Sequence, residues 1–396
     1  MEISVSLGKF PHFFCVLSVI IVHILSKIFI GLLAINLLSA APIEFDHPGV
    51  YHSQEGIDFV KSKIAAKAEP WSGEWEKLNE SRYASLRWRA EPVPDVERGP
   101  YNNPNIGSSE FSNDSRAAYT HALHWALSGE KAHAQKSAAI IDSWSAELKT
   151  ITNHDAALLI GMSGQNYVIA AELLRHTWDG WPRENQARFE KILRDVFYPV
   201  IKDFYPSANG NWDASMLQTM IAMGVFLEDQ MMFDRAANYY LKGRGNGAIG
   251  MYFKENGQCQ ESGRDQGHTQ MGLEFLSNTA ETAWIQGVDL YGALDSRLLA
   301  GFEYTAKYNL GNDVPYAPYK SFEGRYHYKK ISDDSRGRLR GMYEQVFNHY
   351  HNRRGLEAPF TKQAAEKNRL KSSRRGPVPW ATLMFFEQPF PTVSKK

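Results

Sequence analysis

Two short polar clusters in this 396-residue chain hold the residue types that could work on an acidic substrate. The first is Asn209-Gly210-Asn211-Trp212-Asp213, placed just before a run with helical spacing: Met216, Leu217, Met220, Ile221, Val225 and Phe226. The second runs from Gln260 to Gln270 (Gln-Glu-Ser-Gly-Arg-Asp-Gln-Gly-His-Thr-Gln) and precedes Met271, Phe275, Leu276, Ala280, Ala283 and Trp284. Helix N-termini expose unpaired N–H groups and carry partial positive charge, so they suit anions. Asn211, Arg264 and His268 at two such ends point to a pocket for a carboxylate, and Trp212 offers a face on which a sugar ring can stack. Each residue also has a plain structural use. Asn211 fits a helix cap, Arg264 and Asp265 an ion pair, His268 a local hydrogen bond, and Trp212 ordinary packing. Their co-occurrence in two adjoining helix starts is what carries the chemical reading.

Helices must position these clusters. Expected helices run from Ser53 to Lys67, Trp71 to Leu86, Lys131 to Leu148, Ala156 to Thr177, Pro182 to Phe204, Asp213 to Leu227, Met231 to Leu241, Gln266 to Gly287 and Leu294 to Tyr308. Another is capped by Ser115 and ends at Ser128-Gly129, and a last one covers Arg336 to Arg354. Strand signal is confined to Ile249–Phe253 and Tyr326–Ile331. Helix starts near Ser115, Ala156, Asp213 and Gln266 recur every 40–57 residues, each opening a helical hairpin. That period fits an open superhelix or a closed α/α toroid and does not choose between them. In the toroid, alternate helices start at one rim, which would bring Asn211 and His268 together.

Composition bounds the rest. The chain is 43% hydrophobic and 13% aromatic, ample for a large core. Residues 1–41 read as a targeting segment, a signal peptide ending at Ser39-Ala40-Ala41 or an uncleaved anchor, with residues 42–396 as one domain. No later stretch reads as a membrane span. The net charge of 0 becomes −1 without residues 1–41, which gives no basic field for nucleic acid. Cys15 falls in the leader and leaves Cys259 alone, excluding an intrachain disulfide and a cysteine zinc site. His121 and His124 share a helix face but complete no ligand set, so neither metal nor cofactor is expected. A monomer is expected.

At the two clusters the chain resembles the alginate lyase domain of secreted polysaccharide lyases. Gly164-Gln165-Asn166 with Ala170-Ala171-Glu172-Leu173-Leu174-Arg175 supports the resemblance, as do Ile331 to Arg338 and Tyr343 to Tyr350. The resemblance implies an all-α fold, an (α/α) toroid or incomplete barrel of about six or seven helical hairpins. It also implies β-elimination on an anionic uronic-acid polymer, alginate or β-1,4-glucuronan; the targeting segment sets the expected location, outside the cytosol or in a periplasm. Familiar members carry Asn-Asn-His at the first cluster and a Tyr after an Arg at the second. This chain has Trp212 and Gly267 at those places, so the catalytic tyrosine is expected elsewhere. Tyr326 is the choice, with Tyr319 and Tyr328 behind it, and a Tyr base needs its pKa lowered from about 10, which a neighbouring cation can do. The expected roles are Asn211, His268 and Tyr326 in catalysis, and Arg264, Trp212, Gln270, Gln165, Asn166 and Arg325 in substrate binding. Two rivals stand beside this reading. One is a glycoside hydrolase on the same scaffold, using two of Asp213, Glu261 and Asp265. The other is a non-catalytic glycan-binding helical protein.

Overall fold

Apolar residues three and four apart, punctuated by caps and glycines, make most of the described chain helical. The computed structural model describes residue 1, residues 44–371, 380–389 and 391, so the expected targeting segment lies outside the described residues apart from Met1. The described residues from Phe45 onward make one unit. Within it the helices are α1 (Gln54–Ala65), α2 (Trp71–Asn79), α3 (Ser108–Ser128), α4 (Lys131–Glu147), α5 (Ala156–Thr177), α6 (Arg183–Ile192), α7 (Tyr198–Ile201), α8 (Asn211–Phe226), α9 (Gln230–Lys242), α10 (Ile249–Tyr252), α11 (Gln266–Ile285), α12 (Ala293–Asn309), α13 (Tyr343–Phe347), α14 (Pro359–Lys371) and α15 (Ala381–Phe385).

The packing order makes a ring. Helix α3 packs on α5, α5 on α8, and α8 on α11, while α4 and α9 back α3 and α8 from outside. Side chains fix these inner helices parallel and in register. Ser163 donates to Ser112 at 3.0 Å, Gln218 Nε2 donates to the Gly161 carbonyl at 2.7 Å, and Asn278 Nδ2 donates to Gln218 Oε1 at 3.0 Å. Each pair joins the N-terminal to middle part of one inner helix to the corresponding part of the next, so the inner helices all start at one rim. The ring continues where Gln345 donates to the Ser277 carbonyl at 2.9 Å and accepts from Tyr51 at 2.7 Å. It closes through the His52–Tyr119 bond at 2.8 Å and the packing of α15 on α1, α2 and α13. Six helical hairpins can be followed among the described residues. The fold is the closed α/α toroid, and the open superhelix is set aside.

Several elements differ from expectation. Helix α3 begins at Ser108, so Ser115 lies inside it and turns its hydroxyl to the Ser112 carbonyl. Asn211 is the first residue of α8 rather than a residue ahead of it. Ile249–Tyr252 is a single helical turn, not a strand. Residues 336–342 are irregular, and helix resumes only at Tyr343. The segment around Tyr326 keeps only a two-residue strand, His327–Tyr328, paired antiparallel with Tyr319–Lys320. Asp95–Arg98, Asn105–Ile106 and Thr150–Thr152 form a small sheet that the sequence did not signal. Among the described residues α5 alone has the length and hydropathy of a membrane span, contrary to the expectation of none, but 89% of that stretch is buried inside the toroid.

Candidate active site

The starts of α8 and α11 meet through Glu261. Its side chain is fully buried, and Oε2 accepts the Asn211 backbone N–H at 2.9 Å and the Tyr252 hydroxyl at 2.9 Å. Its other oxygen, Oε1, accepts Arg264 Nη1 at 2.7 Å. One residue earlier, Gln260 repeats the link: Oε1 accepts the Gly210 N–H at 2.9 Å, and Nε2 donates to Asn209 Oδ1 at 3.1 Å. Two orphan donors at the start of α8 are thus satisfied by the loop that leads into α11. Burial pushes the Glu261 carboxyl up from its ordinary value, against the opposing pull of Arg264 and His268. The amide of Asn211 is almost fully buried, and its Oδ1 has no hydrogen-bond partner among the described residues.

Asp265 caps α11. Its Oδ1 accepts the His268 N–H at 2.7 Å, and its Oδ2 lies 2.6 Å from His268 Nδ1 and 3.7 Å from Arg264 Nε. A carboxylate only accepts, so Nδ1 carries the proton and Nε2 is the working nitrogen of a side chain that is 39% exposed. Burial works to raise the Asp265 carboxyl, but the bonds from His268 and the charge of Arg264 outweigh it and hold the group below its usual value. The fold therefore does bring Asn211, Arg264 and His268 to one junction. Arg264 faces Glu261 and Asp265 there.

Of the three tyrosines named from the sequence, it is Tyr328 whose hydroxyl bonds into this junction, donating to Asn209 Oδ1 at 3.0 Å. Burial and the Glu261 charge push its phenol up to about 12, with Arg264 pulling the other way. Tyr326 is half-buried and stacks on Tyr328 with ring centroids 6.1 Å apart. Its ring also meets the Arg325 guanidinium at 5.4 Å. Tyr319 is turned away and bonds the Met251 carbonyl. Arg325 is exposed and donates to the Tyr205 hydroxyl at 3.2 Å. The Tyr205 ring meets Trp212 at 5.8 Å, and Trp212 meets His154 at 5.4 Å. Arg325, Tyr205, Trp212 and His154 thus form a cationic and aromatic strip beside the start of α8.

Other residues named from the sequence lie deeper. Gln270 is fully buried, donating to the Gln266 and Arg338 carbonyls at 3.0 and 3.1 Å and accepting from Tyr343 at 3.2 Å. It holds the chain after residue 335 against α11 and presents no free polar group to a cleft. Gln165 and Asn166 are buried inside the ring, near Asn278 and Ser115 at 3.5 and 3.3 Å, and each keeps one polar atom without a partner. The carboxylates of the hydrolase reading are all committed. Asp213 is buried, accepts the Tyr205 N–H at 2.7 Å and the Tyr239 hydroxyl, and is pushed by burial up to about 6. Glu261 and Asp265 serve the junction, so no two of the three face each other across an open space. Glu261 was named from the sequence only for that rival. Its link to Asn211 spans 50 residues, and no local pattern signals it.

The alginate lyase family profile matches residues 67–314. No curated protein matches the chain in sequence. Solved structures do match in fold. A substituted form of alginate lyase A1-III in complex with a tetrasaccharide superposes with a TM-score of 0.63 at 16% identity, covering 89% of this chain and 99% of that one. Alginate lyase A1-III from Sphingomonas species A1 gives 0.59 at 14% identity, covering 86% and 98%. An alginate lyase from Bacteroides ovatus gives 0.57 at 12% identity, covering 85% and 98%.

Proposed function

The chain belongs to the alginate lyase family and is a polysaccharide lyase, and on that premise we propose that it cleaves a uronic-acid polymer with the mannuronate or glucuronate configuration. The observation that carries the site assignment is the Asn211–Glu261 bond, because it draws the amide, the imidazole of His268 and the Tyr328 hydroxyl around one junction.

In the reaction a base removes the proton on C5, the electron pair forms the C4–C5 double bond, and the C4–O4 bond breaks as O4 takes a proton. The C5 proton is weakly acidic because the adjacent carboxylate resists further negative charge, so a donor to that carboxylate lowers the barrier. Asn211 has that role, with the positive end of α8 behind it. His268 Nε2 is placed to exchange a proton, its tautomer held by Asp265. Tyr328 stays protonated at neutral pH and serves as the acid for O4, while Tyr326 lies one ring outward as the second candidate. The strip of Arg325, Tyr205, Trp212 and His154 supplies charge and flat faces for neighbouring sugar units.

Mannuronate and glucuronate share their configuration at C4 and C5, whereas guluronate is inverted at C5. One arrangement of acid and base therefore serves the first two. Incubation with polymannuronate, glucuronan and polyguluronate, read by the absorbance of the unsaturated uronate product, tests this. A rise with either of the first two supports it; no rise with any, or a rise with polyguluronate alone, overturns it.

A further inference from the structure

At the other end of the ring, a buried carboxylate lacks the partners its burial requires. Glu172 lies on α5 about 16 Å along the helix axis from Gly161, toward the rim opposite the active site. Its side chain is 0% exposed. Oε1 accepts the Gly49 N–H at 2.8 Å and lies 2.7 Å from His47 Nδ1, while Oε2 has no hydrogen-bond partner among the described residues. His47 Nε2 is likewise buried without one. Leaving such groups unpaired away from water costs free energy, more so when one carries charge.

The nearby groups supply metal-ligand chemistry. His176 Nε2 sits 3.6 Å from Glu172 Oε2, and Glu228 Oε1 sits 3.8 Å from His47 Nε2. Ligand atoms of His47, Glu172 and His176 lie within 4.8 Å of one another. Ligands about 2.1 Å from a tetrahedral metal are about 3.4 Å apart, close to both separations. The bond of His47 Nδ1–H to Oε1 also fixes the tautomer that leaves a lone pair on Nε2, as an outer-shell carboxylate does for a metal-bound histidine. Glu172 and His176, four apart, share one helix face. The His47 and His176 rings stack 4.2 Å apart at 6°, so His176, whose side chain is 25% exposed, must turn its ring to share an ion.

We propose that His47, Glu172 and His176, with Glu228 as a fourth ligand, bind one zinc-type divalent cation. Two imidazoles with carboxylate oxygen favour zinc over calcium or magnesium, which take oxygen ligands. The ion ties the segment Phe45–Tyr51 to the C-terminal end of α5. It sits apart from the lyase site and takes no part in elimination. A second cluster, His124, Glu130 and His133, fits less well: its one carboxylate is largely exposed, whereas Glu172 is fully buried with an oxygen that has no hydrogen-bond partner among the described residues.

The test titrates the chelator-treated protein with zinc chloride by calorimetry and follows its melting temperature. The wild type is expected to bind one equivalent and to melt higher as zinc rises. His176→Ala should weaken that binding by about ten-fold or more and remove the thermal shift. His133→Ala should change neither. Glu172→Gln serves as a further variant where it folds, and His176→Ala decides where it does not. Absence of zinc binding by folded wild type, binding unchanged in His176→Ala, or binding lost in His133→Ala overturns the proposal.

Discussion

The backbone N–H of Asn211 and the carboxylate of Glu261 lie 2.9 Å apart, although 50 residues separate them. That bond makes two helix starts into one site. Glu261→Gln should therefore lower both stability and activity. It removes the charge that Arg264 faces while leaving the guanidinium half-buried, a loss of about 3 kcal/mol. Thermal melts and elimination rates measured together check this, and an unchanged melt would argue that Arg264 is held by Asp265 alone.

Asn211→Ala should separate catalysis from folding. The substitution keeps the backbone bond to Glu261 and removes only the side-chain amide. Loss of one preorganised donor slows such steps by about 100-fold to 1,000-fold. The melting temperature should fall little, and turnover within ten-fold of wild type would remove Asn211 from its assigned role.

Two tyrosine variants compare the stacked pair. Tyr328→Phe loses the hydroxyl that meets Asn209, whereas Tyr326→Phe changes a ring one layer out. The larger fall in kcat is expected for Tyr328→Phe. The reverse order would return the acid role to Tyr326.

Gly263 lets the Tyr328 segment come close. A Cβ placed there would stand 2.3 Å from the Tyr328 Cβ and 2.7 Å from the Lys330 carbonyl oxygen. Gly263→Ala should push that segment outward and lower kcat, with a loss of stability of about 1–3 kcal/mol. Wild-type kinetics in this variant would show that Tyr328 need not sit where it does.

Asp213 gives stability a pH dependence of its own. Burial raises its carboxyl from 3.8 to about 6. The folded state therefore holds a proton that the unfolded state releases, so the group's contribution is fullest below about 4 and falls as pH rises to about 6, by about 3 kcal/mol in all. Asp213→Asn should flatten the stability profile across that window. An unaltered profile in denaturant melts between pH 4 and 7 would assign the dependence elsewhere.

Much of the helical framework was legible from local pattern. Helix α5 has the bounds its apolar spacing and flanking residues gave, and Ser53 caps α1 by accepting the Gly56 N–H at 3.1 Å. The short strands were not legible. Two or three residues carry no period, and Thr150–Thr152 becomes a strand only because Asp95–Glu97 lies beside it. Ile249–Phe253 looked like a strand by its β-prone residues, yet it coils into one turn where Tyr252 meets Gln260 and Glu261 of the loop before α11.

The amino-acid order by itself determined that helices would alternate, where most begin and end, and which polar residues stand at two of the starts, because these depend on neighbours within a turn or two. Closure of the ring, the service of Glu261 to Asn211, and the meeting of the Tyr328 hydroxyl with Asn209 were decided only by tertiary structure. Each depends on groups 50 or more residues apart whose meeting is set by how whole helices pack.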